Sequence, residues 1–175
     1  WKCVKTQLKS MRDLLPFLYY DATTPLATTI FATDAMGATD GVVVRDRRAM
    51  CQAALKDLPA EVAGKVEVNP IEILRQGASF TIDTVEAVAQ SYPGDQIALI
   101  VGTDAFTKID QWHRTSELQD MVDFIVIDRP DFPGSPNLDI NALNVSATAV
   151  RAGEIESVSP QVAAYIKEHN LYARK

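Results

Sequence analysis

The chain predicts an open α/β fold: a parallel sheet with helices on both faces. Two observations carry this. Ile97-Ala98-Leu99-Ile100-Val101 and Phe124-Ile125-Val126-Ile127 are almost wholly apolar runs, as strands buried on both faces are. Around them lie segments whose apolar residues recur at helical spacing. At 175 residues, 47% hydrophobic and 23% charged, the chain can build one core and suits one domain.

The elements follow in order. Residues 1–41 form a head with Pro16, Pro25 and a Thr/Ala/Gly-rich stretch from Thr23 to Gly41. Within it, Thr28 to Thr33 has strand character and Met36 to Gly41 turn character. Residues 42–175 form the α/β body. Arg45 to Leu58 predicts a helix, with Ala49, Met50, Ala53, Ala54 and Leu55 on one side, ended by Pro59. Val66 to Ile73 predicts a short strand. Ser79 to Gln90 predicts a helix, with Ile82, Val85, Val88 and Ala89 on one face. Tyr92-Pro93-Gly94-Asp95 is a turn. The first buried strand, Gln96 to Gly102, precedes short helices at Ala105 to Ile109 and near Thr115 to Val122. The second is stopped by Arg129-Pro130. Leu138 to Val145 predicts a last strand, Ser146 to Gly153 a capped helix, and Pro160 to His169 the closing helix with Asn170 at its C-terminal cap.

Charge narrows the function. A net charge of -6 and a pI near 4.9 argue against broad nucleic-acid or anionic-membrane binding. A small phosphorylated ligand held by a few local cations remains compatible. No apolar run approaches the roughly 20 residues that span a bilayer. Cys3 and Cys51 have no short-spaced partner, which predicts reduced thiols in a cytoplasmic protein rather than a zinc site or disulfide framework.

In open α/β sheets ligands bind beyond the carboxyl ends of strands, and polar residues cluster at those positions here. Gly102-Thr103-Asp104 ends the most buried strand. The glycine lets a ligand approach the backbone, and Asp104 could accept from ribose hydroxyls; a strand-end turn with a capping aspartate reads the same way. Trp112 offers an indole face for a flat ring, with the His113 imidazole beside it in sequence. A half-buried tryptophan anchoring a loop is the alternative. Ser146 or Thr148 would cap a helix whose free amides attract an anion, with Arg151 one turn on. An ordinary N-cap beside a solvated arginine has the same pattern. Ser79 to Thr84 reads as a capping box, with Ser79 or Thr81 at the cap and Asp83 stabilising the helix start. His169 is structural, facing the negative end of the last helix. There is no Gly-x-x-x-x-Gly-Lys-Ser/Thr loop, no Gly-x-Gly-x-x-Gly and no His-Glu-x-x-His.

Taken in order, these segments resemble bacterial nicotinate-nucleotide adenylyltransferases. Glu72 with Arg75-Gln76-Gly77-Ala78-Ser79-Phe80-Thr81-Ile82-Asp83-Thr84 is similar to that family's Ser-Tyr-Thr-x-Asp-Thr segment. Gly102-Thr103-Asp104-Ala105 followed by Trp112-His113-Arg114 matches its next signature. Ser146-Ala147-Thr148-Ala149-Val150-Arg151 looks like its Ser-Ser-Thr-x-Ile-Arg motif. Arg47 to Met50 and the ending Val162 to Tyr172 are also similar. The resemblance covers about residues 42–175 and implies a Rossmann-like nucleotidyltransferase fold. It implies transfer of the adenylyl group of ATP to nicotinate mononucleotide, magnesium-assisted, on the route to NAD. It implies a substrate set of Thr81, Asp83, Gly102, Asp104, Trp112 and His113. Thr81 and Trp112 would contact the nicotinate portion, and Gly102 and Asp104 would hold the nucleotide. It also implies an ATP-phosphate set of Ser146, Thr148 and Arg151. No residue of this chain is assigned a catalytic role and none a protein-held metal.

The chain departs from the family pattern at one end. The family begins with a strand and a Gly-x-Phe-x-Pro-x-His-x-Gly-His loop whose histidines contact ATP phosphates. Here the histidines are His113 and His169, so that strand and helix portion is missing or replaced in residues 1–41. Ala147 replaces a hydroxyl residue in the phosphate motif, and the spacing after Arg151 is shortened. The expectation is impaired adenylyl transfer. The alternatives are a non-catalytic nucleotide-binding remnant, or a fusion with an RNase H-like fragment, since Leu14 to Phe17 with Phe31 to Ala38 resembles the first strand of such domains.

Overall fold

The computed structural model describes residues 28–31, 44–76, 78–132, 134–140, 147–153 and 158–172. Its strands are β1 (Thr28–Phe31), β2 (Val66–Asn69), β3 (Ile97–Gly102) and β4 (Val122–Ile127). Its helices are α1 (Val44–Ala54), α2 (Ala60–Ala63), α3 (Ile71–Leu74), α4 (Thr81–Ser91), α5 (Thr103–Phe106), α6 (Thr115–Met121), α7 (Ala147–Arg151) and α8 (Pro160–Glu168). Short 3-10 turns occupy Leu55–Asp57 and Ile109–Gln111.

All strand pairs are parallel, as the apolar runs predict. β1 pairs with β2, Thr28 opposite Val66, and β3 pairs with β4, Ile97 opposite Val122. The head's strand therefore belongs to the same ladder as the body's β2. Among the described residues no hydrogen-bonded pair joins the two ladders. A shared core joins them instead. Met50 and Ala54 of α1, Val66 of β2, Ala98 and Ile100 of β3, Ile125 and Ile127 of β4 and Val162 and Ile166 of α8 form one apolar cluster. On the opposite face Leu99, Val101 and Val126 meet Ile82 and Val85 of α4 and Leu118 of α6. Alternate residues of β3 thus point into different clusters, the two-sided burial its sequence implies.

Four expectations need correction. The predicted Val66–Ile73 strand stops at Asn69. Pro70 lacks an amide for the ladder, and Asn69 Oδ1 accepts the Ile71 amide at 3.0 Å, which turns the chain into α3. The Leu138–Val145 strand is reduced, among its described residues, to one parallel bridge between Leu138 and Ile127. The Asn137 side chain takes over pairing there: its Oδ1 accepts the Val126 amide at 2.8 Å and its Nδ2 donates to the Phe124 carbonyl at 2.8 Å. Helix α5 starts at Thr103 rather than Ala105 and ends at Phe106. At the last helix the cap is His169, not Asn170. Asn170 follows it in the left-handed region (φ 49°), with Leu171 N bonded to Ile166 O at 3.0 Å and Asn170 N to Lys167 O at 3.2 Å. This is the paired closure an αL residue allows. The Met36–Gly41 turn, Leu14–Phe17 and Ser146 lie outside the described residues. No helix among the described residues is long and apolar enough to cross a membrane.

Candidate functional site

The start of α4 is built by its own sequence. Phe80, not Ser79 or Thr81, occupies the N-cap, in extended backbone. Asp83 folds back so that its Oδ2 accepts the Phe80 amide at 3.1 Å. An acid in the first turn also suits the positive end of the helix. Thr81 is the first helical residue, half-buried. Just upstream, the Arg75 guanidinium donates to Ser79 Oγ and to Thr84 Oγ1, the latter at 3.1 Å. Thr84 in turn donates to Glu72 Oε1 at 2.7 Å. Glu72 and Thr84 are both buried. Burial pushes the Glu72 carboxyl above its ordinary range, against the Thr84 hydrogen bond and the Arg75 charge, which pull it down.

The second segment, Trp112 to Arg114, is brought to the same place. The His113 ring stacks on Phe80, centroids 4.3 Å apart. Trp112 is half-buried and packs against the cluster that holds Ile82, Leu99 and Val101. Arg114 caps α6 with φ 53°, a strained conformation for a residue with a Cβ. Three hydrogen bonds hold it there: to Glu117 Oε1 at 2.9 Å, to Glu117 Oε2 at 2.6 Å and to Glu86 Oε1 of α4 at 2.7 Å. Arg114 holds the Glu117 carboxyl below its ordinary range.

The third segment closes the end of β3. A side chain at Gly102 would collide with the Asp104 carboxylate and stand 2.9 Å from Arg129 Cγ. Asp104 lies 3.9 Å from Arg129 Nε. Thr103, buried, donates from Oγ1 to the Phe132 carbonyl at 2.7 Å, and Gly134 packs so close to it that a Cβ there would be 2.9 Å from Thr103 Cβ. The loop after β4 therefore folds over the Gly102–Asp104 turn. Sequence reasoning noted Arg129 only as a strand-end residue. It missed Phe132 and Gly134, whose roles depend on a contact across 29 positions.

Of the predicted site residues, Thr81, Asp83 and His113 come together around Phe80. Gly102 and Asp104 form the turn at the end of β3, and Trp112 shares its apolar backing with β3. The predicted phosphate set is represented by α7 alone. Thr148 lies within it, its side chain outside the described part of the structure, and Arg151 ends it, half-buried.

The chain as a whole is similar to known proteins. The probable nicotinate-nucleotide adenylyltransferase of Bacillus pumilus is 33% identical over 139 residues, covering 73% of this chain and 71% of that protein. That of Opitutus terrae is also 33% identical, over 143 residues and the same shares. The chain belongs to the nicotinate-nucleotide adenylyltransferase family. No family model matches it. Its fold is similar to that of Plasmodium falciparum nicotinic acid mononucleotide adenylyltransferase complexed with NaAD, with a TM-score of 0.68 at 17% identity over 82% of this chain and 81% of that one. In this adenylyltransferase family setting the resemblance noted in the sequence is confirmed, and so is the α/β nucleotidyltransferase fold.

Proposed function

We propose that these residues bind nicotinate mononucleotide as the acceptor for the adenylyl group of ATP. The observation that carries this is the Phe80–His113 stack, which joins the α4 start to the indole loop although the two are 33 positions apart in the chain. Trp112 would cover one face of the pyridine ring, with Thr81 at its edge. Gly102, whose missing side chain leaves the Asp104 carboxylate and Arg129 close to the backbone, would hold the nucleotide together with Asp104, which would accept from its ribose. Asp83 acts through the backbone: it fixes the cap from which Thr81 projects. Ser146, Thr148 and Arg151 are the proposed contacts to ATP phosphates.

In the reaction a phosphate oxygen of nicotinate mononucleotide attacks the α-phosphorus of ATP. The bond to the β-phosphate oxygen breaks, and pyrophosphate leaves. The protein's part is to align the two phosphates and to stabilise charge on the leaving group. Magnesium would neutralise that charge. Among the described residues no group of three or more His, Cys, Asp or Glu is placed to hold a metal ion. A buried Cys51 that is in no disulfide and nucleotide substrates both suit the cytoplasm.

The division at residue 41 carries a second proposal: residues 42–175 supply the acceptor side, and residues 1–41 do not supply the family's phosphate-binding histidines. The sequence contains no His-x-Gly-His. Purified 1–175 is therefore expected to bind nicotinate mononucleotide while forming little deamido-NAD from it and ATP. Robust pyrophosphate release would overturn the impairment. Absence of binding would overturn the acceptor role.

A further inference from the structure

Helix α3 has four residues, and its one buried residue is its acid, Glu72. Ile73 and Leu74 beside it are exposed, Leu74 at 73%. The helix therefore adds little apolar burial to the fold. An ionised carboxylate out of water is expensive unless it is hydrogen-bonded. Glu72 meets that need through Thr84, in the first turn of α4. Arg75 bonds the same Thr84 hydroxyl and also Ser79, one residue ahead of the Phe80 cap. The network thus grips the chain on both sides of Phe80 and Thr81, at Ser79 and at Thr84.

We propose that Glu72 is a positioning residue: through Thr84, Arg75 and Ser79 it holds the cap and first turn of α4 in the geometry that receives the pyridine nucleotide. This rests on the acceptor reading given above. Glu72 itself is buried against Thr84 and would act on the substrate only through it. Its effect is selective, because the network ties down Ser79 to Thr84 and no part of α7, where the ATP phosphates are proposed to bind.

Calorimetric titration of the full 175-residue chain with nicotinate mononucleotide, and separately with MgATP, tests this. Glu72→Ala and Thr84→Val should each weaken nicotinate mononucleotide binding roughly tenfold, the scale of one buried partner lost, while ATP affinity changes less than about twofold. Glu72→Gln keeps an oxygen to accept the Thr84 hydroxyl and should recover most of the loss, to within about threefold of the parent. Thr84→Val nearly preserves volume and carries the test if Glu72→Ala does not fold. Folded variants with unchanged nicotinate mononucleotide affinity would overturn the proposal. So would equal losses for both nucleotides, or a Gln variant as weak as the Ala variant. A parent chain that does not bind nicotinate mononucleotide overturns the acceptor reading itself, a result distinct from a binding parent with indifferent variants.

Discussion

Asp46 and Glu72 are the two buried carboxylates among the described residues, and they serve different regions. Asp46 lies in the first turn of α1 and accepts the Tyr165 hydroxyl of α8 at 3.1 Å, across 119 positions of sequence. Around it Met50, Ala54, Val162 and Ile166 pack α1 and α8 on the same side of the strands. Nearby, Asp57 Oδ2 accepts the Gln161 amide at the start of α8. The polar contacts there close the fold. Glu72 finds its partners within 12 positions, on a helix start and a short loop at the candidate site. The same chemistry, a carboxylate removed from water and satisfied by a hydroxyl, joins distant helices in one region and shapes a local surface in the other. The difference lies in the backing. Apolar packing already holds α1 to α8, whereas α3 has little apolar contact and depends on its polar chain.

Core truncation should break this contrast most visibly. Ile166→Ala, on the Asp46 side, and Ile82→Ala, on the site side, each remove a side chain that is nearly or wholly inaccessible to solvent. Each is expected to lower unfolding free energy by about 2–5 kcal/mol in urea titrations. Only Ile82→Ala should also weaken nicotinate mononucleotide binding, because Ile82 follows Thr81 in the first turn of α4. Parallel loss of affinity in both variants would show that the two sides are not functionally distinct.

Trp112→Ala should cost about 1–3 kcal/mol of nicotinate mononucleotide affinity, the scale of a base stacked on an aromatic ring. Thermal unfolding should shift modestly, since Trp112 only flanks its cluster. Calorimetry with the variant showing parental affinity would remove the indole from the site.

The smallest effect is the most specific to Glu72. Its carboxyl titrates above its ordinary value of 4.5 in the folded chain because it is buried. Between pH 4.5 and that raised value the folded state keeps a proton that the unfolded state releases. The group's contribution to stability is therefore full below that window and is lost as pH rises through it. Compared with Glu72→Gln, which cannot titrate, the parent should lose stability from pH 4 to pH 8 in denaturant midpoints. A pH-independent difference between the two would mean that Glu72 is better hydrated than its burial implies.

Much of the fold was legible in the chain. Ile97 to Val101 and Phe124 to Ile127 announced parallel, doubly buried strands because no polar residue interrupts them. The helical spacing of Met50, Ala53 and Ala54 marked the buried face of α1, and Pro59 its end. The Val66 strand was overextended because Ile71, Ile73 and Leu74 are apolar without being core; Asn69 and Pro70 decide the turn. The three motifs of the candidate site were readable as types and spacings. Their assembly was not. The pattern Ile71-Glu72-Ile73-Leu74 carried a signal, an acid alone among apolar residues with Arg75 and Thr84 within reach, but nothing in it says that the acid is the residue buried.

By itself the sequence determined the class of the fold, the boundaries of most elements and the family, because these depend on local propensity, on hydrophobic period and on motif order. Tertiary structure alone decided that Phe80 meets His113, that Arg114 ties α4 to α6, that Phe132 and Gly134 close on Thr103, and that Glu72 turns inward. Each of those depends on which faces the packed strands bring within a few ångströms of one another, and separation along the chain does not encode that distance.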